Sequence, residues 1–355
     1  MSRLPLTLLV LTLGCDPPPE NKLAVDNDGD GFSEFDGDCD DADPDQGAGT
    51  IDEDCDGTLG EDDCDDSDAS VPSEDGDCDG ITTADDCNDR SPIVGICWVS
   101  ISAGALHTCA ARSNGEVECW GALQSGRYAP PSAAFDSVSA GLNHTCGVLR
   151  DGSADCWGGD NYNESSPPDA TFQSVTTGNY FSCGVTESDS IECWGKSNLD
   201  QTAKSSGNYQ SISAGDNHAC GVKLSGEIAC WGLNTGNQAT PPPGTFESVS
   251  AGTDHTCAVS SAGEAVCWGE DYRGQSTPPA GTFLAISAGL NFSCGLTDNK
   301  LLKCWGENTD DKATPPPGTF ESVTVGYSHG CAINTVGQIE CWGSDSSDQA
   351  TPPEL

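Results

Sequence analysis

The sequence predicts an all-β protein: a seven-bladed β-propeller of 37-residue repeats over residues 98–355, preceded by an irregular N-terminal segment organised by disulfides and calcium. Three observations carry this reading. A phrase with two cysteines ten residues apart, first met as HTCAARSNGEVECWG from His107, occurs seven times. Every unit has the same length, which is the mark of a repeat architecture. Residues 16–97 hold 29 acidic side chains against Lys22 and Arg90 and few aromatic or branched apolar ones, too little apolar surface to order that stretch unaided.

The repeat builds its own elements. Its first cysteine falls at Cys109, Cys146, Cys183, Cys220, Cys257, Cys294 and Cys331. Its second falls at Cys119, Cys156, Cys193, Cys230, Cys267, Cys304 and Cys341, each followed by Trp-Gly, and both series advance by 37. An aromatic opens each unit: Trp98, Phe135, Phe172, Tyr209, Phe246, Phe283 and Phe320, and seven units counted from residue 98 use up the 355-residue chain. SISAG alternates small or polar with apolar residues and breaks at a glycine; HTCAA and VECWG are short strands joined by RSNGE. If Cys109 faces Cys119 across this hairpin, Ser113, Asn114 and Gly115 form a three-residue loop whose third position needs φ > 0. Glycine recurs there at 152, 226, 263 and 337, with Asp189 and Lys300 as exceptions. Each cysteine pair then staples one hairpin, worth about 2–3 kcal/mol through chain entropy. Three strands per 37 residues fit a propeller blade or a solenoid rung, and the recurring Gly and Trp favour the blade.

Upstream, MSRLPLTLLVLTLGC has one arginine and an apolar run from Leu4 to Leu13, too short to span a membrane and typical of a signal peptide over residues 1–14. LTLGC resembles a bacterial lipobox, departing from it at Thr12, which makes Cys15 the lipidation site, with residues 15–25 as a charged, proline-rich tether. Within residues 26–97, DNDGDG sets Asp26, Asp28 and Asp30 at alternate positions before a turn glycine, the opening of a calcium loop. Gly37 occupies the twelfth position, so this is not a regular EF-hand. The theme returns through Asp36, Asp38, Asp40, Asp41 and Asp43, then Asp52, Asp54 and Asp56, then Asp63, Asp65, Asp66 and Asp68, and last Asp75, Asp77 and Asp79. It resembles the acidic metal-binding repeat of bacterial secreted proteins and, more distantly, the thrombospondin type 3 repeat. No His or Met lies between residues 16 and 106, and an all-carboxylate donor set selects a hard cation, so calcium is the expected cofactor. Cys39, Cys55, Cys64, Cys78, Cys87 and Cys97 make an even six; sequential pairing is the simplest of fifteen connectivities. The null alternative is a disulfide-pinned acidic spacer that holds ions loosely.

The repeat phrase SVSAGxxHTCxVxxxGxxxCWG around Val138 resembles the regulator of chromosome condensation family, and the short blades are most similar to its bacterial secreted branch, typified by the type II β-lactamase inhibitory protein. That resemblance implies the propeller fold and a binding disc, without naming a partner. A net charge of −44 argues against nucleic acid, whose phosphates need basic surfaces. Twenty-one cysteines with one methionine indicate an oxidising compartment.

All five histidines (His107, His144, His218, His255 and His329) share one repeat position, filled by Phe181 and Phe292 in the other units, which makes them structural before catalytic; a metal ring on the axis is the competing idea. No phosphate loop, nucleophile elbow or zinc-protease helix is present, so a metal-dependent enzyme is the weakest reading. The loops after the first and third strands should share one face and are where the repeats differ. They carry Tyr162, Tyr180, Tyr272 and Tyr327, candidate anchors for an extracellular or envelope protein or glycan. The function expected is an exported, lipid-anchored binding module on a calcium-binding stalk, with the membrane met only through the lipid. A structural or adhesive surface protein without a specific partner is the second reading.

Overall fold

A computed structural model describes residues 97–122, 129–203 and 206–353 of the chain. The described residues belong to one compact unit, Ile96–Leu355. The expected calcium loops, the lipidation site and the cysteines from Cys39 to Cys87 lie outside the described residues.

Within that unit, blade 1 is built from β1 (Trp98–Ala103), β2 (His107–Arg112) and β3 (Val117–Gly121), paired antiparallel in chain order. The described residues form seven such three-stranded sheets, each made from one contiguous repeat. We number them as blades 1 to 7, opening at the seven aromatics from Trp98 to Phe320. The turn between the second and third strands has the predicted form. Arg112 N donates to Glu116 O at 2.8 Å, leaving a three-residue loop with Gly115 at φ 90°. Asp189 and Lys300, the two non-glycine residues of this series, take the same left-handed backbone at 61° and 60°. Cys109 lies directly opposite Cys119 in register. All seven repeat cysteine pairs are disulfides, with Cα–Cα distances of 4.0 to 4.1 Å. Cys97, ahead of the first strand, is also disulfide-bonded. Blade 7 departs from the pattern: its first strand shrinks to Thr324–Val325, because Glu321 N and Ser322 N both turn to Ile333 O.

The core lies between blades. Cys109 and Ala111 of blade 1 pack against Phe135, Val138 and Trp157 of blade 2, and the same set recurs as Cys146 and Val148 against Phe172 and Trp194. The seam between the last and first blades repeats it with Cys331 and Ile333 against Trp98 and Trp120. Each disulfide is therefore both a hairpin staple and an apolar surface for the next blade.

First strands line the axis, and a hydroxyl in each bridges to the next. Ala140 N donates to Ser102 Oγ at 2.9 Å, and six further bonds repeat this around the disc, ending with Ala103 N to Thr324 Oγ1 at 3.0 Å. The ring thus closes without any exchanged strand. The glycine ending each first strand is required by close approach: a Cβ on Gly215 would lie 2.1 Å from Gly252 O, and one on Gly326 1.9 Å from Gly104 O.

Candidate binding face

In every blade the two variable loops are joined by a backbone bond: Ala122 N to Leu106 O, Gly159 N to Asn143 O, Lys196 N to Tyr180 O, Leu233 N to Asn217 O, Glu270 N to Asp254 O, Glu307 N to Asn291 O and Ser344 N to Ser328 O, all 2.7 to 2.9 Å. The loops after the first and third strands therefore share one face. The chain enters on the other, where Ser113 N donates to Cys97 O at 2.8 Å beside the hairpin turn.

The exit loops are held by residues whose role the motif reading did not see. Glu164, Gln201, Gln238, Gln275, Lys312 and Gln349 recur every 37 residues and are buried. The carbonyls of the first five accept the indole N–H of Trp194, Trp231, Trp268, Trp305 and Trp342 in the next blade at 2.8 to 2.9 Å. Their periodicity was the available signal.

The histidines act at the same junctions. Nε2 of His107, His144, His218, His255 and His329 lies 2.7 to 2.9 Å from the hydroxyl of Thr145, Ser182, Thr256, Ser293 and Thr108 respectively, each in the following blade. Thr256 gives its own proton to Gln238 O and Thr108 to Gln349 O, so these hydroxyls accept from a neutral imidazole protonated on Nε2. For His144, His218, His255 and His329, Nδ1 meets no hydrogen-bond partner. Burial lowers the pKa of His107 and His218 to about 3 and of His144, His255 and His329 to about 4. Imidazoles committed to the next blade's hydroxyl serve the ring rather than the axis.

At the axial mouth of the loop face lies a cavity of about 80 Å³, lined by the glycine-ended termini of the first strands with Asp216, Thr253 and Tyr327. Tyr327 donates its hydroxyl to Asp216 Oδ2 at 2.7 Å across the opening. Burial pushes the Asp216 carboxyl up to about 6; the Tyr327 hydroxyl opposes this, Asp254 adds to it and the Thr253 hydroxyl opposes it. Asp254 is raised as well, first by burial and then by Glu270. Beside the mouth, the Tyr162 and Tyr180 rings meet edge-on at 5.3 Å, with Lys196 Nζ over both at 5.3 and 5.2 Å. Tyr180 holds φ at 114°, a conformation that costs a non-glycine residue about 1–3 kcal/mol. Tyr272 stands apart: 72% exposed, it bonds the carboxylate of Glu270. All four predicted tyrosines thus sit on loops of this face. Two touch each other, one closes on the axis, and the fourth is separate.

The family described as the regulator of chromosome condensation (RCC1) repeat matches residues 98–126, 135–164, 209–238, 246–275 and 283–311, which are blades 1, 2, 4, 5 and 6. The repeats are RCC1-like. The CRINKLY WD40 ectodomain of the Arabidopsis thaliana receptor kinase ACR4 superposes with a TM-score of 0.62 at 24% identity, over 71% of this chain and 97% of that one. The ectodomain of the Physcomitrella patens receptor kinase CR4 gives 0.61 and 24%, over 70% and 74%. Prp20p from Saccharomyces cerevisiae, whose structure was described with its binding to Gsp1p and histones, gives 0.57 and 14%, over 65% and 80%. At these identities the RCC1-like propeller shares a fold with them and nothing more is carried over. No curated protein sequence matches the chain. The unmatched blades 3 and 7 keep the 37-residue register and the disulfide.

Proposed function

We propose that this chain is an exported cell-envelope protein whose RCC1-like propeller binds another protein through its loop face, on a calcium-binding acidic segment and a lipid at Cys15. One observation carries the binding reading. The repeated glycines, histidines and tryptophans hold the ring, while the loop face carries variable loops together with a strained Tyr180 and a half-buried Asp216. Seven disulfides fit an oxidising compartment, and the apolar leader fits export. The alternating aspartates with no soft donor favour calcium. A protein is favoured over a glycan, since the axial cavity of about 80 Å³ is far smaller than the roughly 300 Å³ or more of a small-ligand site.

The test is a pull-down from envelope extract and medium with residues 16–355, in calcium and then in chelator. A partner retained by this protein and lost on combined alanine substitution of Tyr162, Tyr180, Tyr272 and Tyr327 supports the reading. Unchanged capture by that variant, or no partner in either condition, turns the interpretation to a structural surface protein. A calcium effect on presentation alone would assign the acidic segment a positioning role.

A further inference from the structure

Resting on that reading, we infer that the axial mouth receives the ammonium or guanidinium tip of a lysine or arginine side chain from the protein partner, with Asp216 as its counter-ion. The position after the glycine that ends each first strand is Ala105, Leu142, Asn179, Asp216, Thr253, Leu290 and Tyr327 in turn, so blade 4 alone places a carboxylate on the axis. A carboxylate moved out of water requires compensation. Here only hydroxyls compensate it, Tyr327 at 2.7 Å with Thr253 beside it, and none of the lysines and arginines among the described residues forms an ion pair with Asp216. The charged neighbour that acts on it is Asp254, of the same sign. An acceptor-rich, partly desolvated mouth with no internal cation is complementary to a cation from outside.

Size narrows the choice. About 80 Å³ is room for the bulk of a few waters, which suits the tip of a side chain. The long apolar stem of a lysine or arginine would lie against the aromatic rim, where Tyr327 is close enough to Tyr180 to be influenced by it. A desolvated charge pair at the centre, flanked by Tyr327, is the kind of arrangement from which interfaces draw much of their energy.

The probe is a capped pentapeptide, Ala-Ala-Lys-Ala-Ala, against its ε-acetylated twin, titrated into the full chain by NMR. Binding of the free-amine peptide, none of the acetylated one, and a loss of about tenfold or more in Asp216→Asn support the anchor. Asp348→Asn, an exposed carboxylate on an exit loop of the same face, should change affinity by less than about twofold. Asp216→Asn should unfold at the same or a higher denaturant concentration, because it removes a half-buried charge; marked destabilisation would mark Asp216 as structural and overturn the proposal. Equal binding of both peptides, binding of neither, or unchanged affinity in Asp216→Asn would also overturn it. Should the peptide result fail while the tyrosine variant still loses its partner, the anchor falls and the binding module stands.

Discussion

Between blades 4 and 5, the imidazole of His218 meets the hydroxyl of Thr256 at 2.8 Å. One junction earlier, the ring of Phe181 packs in a buried cluster with Ala219, the residue at the position of Thr256 in its own blade. The junction between blades 6 and 7 is of the second kind, pairing the repeat positions of Phe292 and Gly330, where a Cβ would strike the Trp342 ring at 2.4 Å. Five junctions are closed by histidine with threonine or serine, and two by phenylalanine with alanine or glycine. Mixed pairs do not occur. A buried polar group costs more unpartnered than absent, so the two positions change together or not at all. The histidines are one of two solutions to the same packing problem.

The largest effect should come from what both kinds of junction share. Gly178→Ala and Gly215→Ala each place a Cβ within 2.4 Å of the next blade's glycine carbonyl, and both should cost about 3 kcal/mol or more in urea unfolding. A much smaller cost at the phenylalanine junction than at the histidine junction would show that the axis is not a common frame. Exchanging the junction chemistry is the next test. His218→Phe alone should destabilise by about 1–3 kcal/mol, since Thr256 loses its donor in a dry site. His218→Phe with Thr256→Ala should recover most of that loss, and strict additivity over the four-protein cycle would refute the pairing.

Acid should separate the two kinds of junction most gently. A folded pKa of about 3 to 4 against an ordinary 6.5 means that the unfolded chain binds more protons in between. Stability from the histidines is therefore full above pH 6.5 and is lost as pH falls towards 4, by up to about 1.4 kcal/mol per pH unit for each histidine. Asp216, raised to about 6, acts in the opposite sense and is a single group. Denaturation midpoints followed from pH 7.5 to 5 should fall, and the His218→Phe/Thr256→Ala protein should fall less steeply by about one fifth. Identical slopes would remove the histidines as the cause.

Much of the fold was legible in the chain. The 37-residue step, the ten-residue cysteine spacing and the glycine two residues before the strand resumes define a stapled hairpin, and His-to-Phe exchange marked the histidine position as structural. The coupling of His107 with Thr145, 38 residues apart, was also written in the repeat, but it is visible only once the ring tells which positions to compare. The repeat register singles out Asp216 as the one carboxylate directly after a first-strand glycine, but nothing in the sequence placed that position on the axis.

The division has a physical cause. Strand pairing, turn conformation and disulfide partners are local, set by a period of two and by the short reach of the chain, so sequence by itself determined them. Contacts between blades depend on how far each sheet is rotated from the last and on seven of them closing a circle. Only the tertiary structure could bring the seven glycine-ended first strands around one axis, match hydroxyls to imidazoles across the seam, and leave Tyr327 over Asp216, 111 residues away.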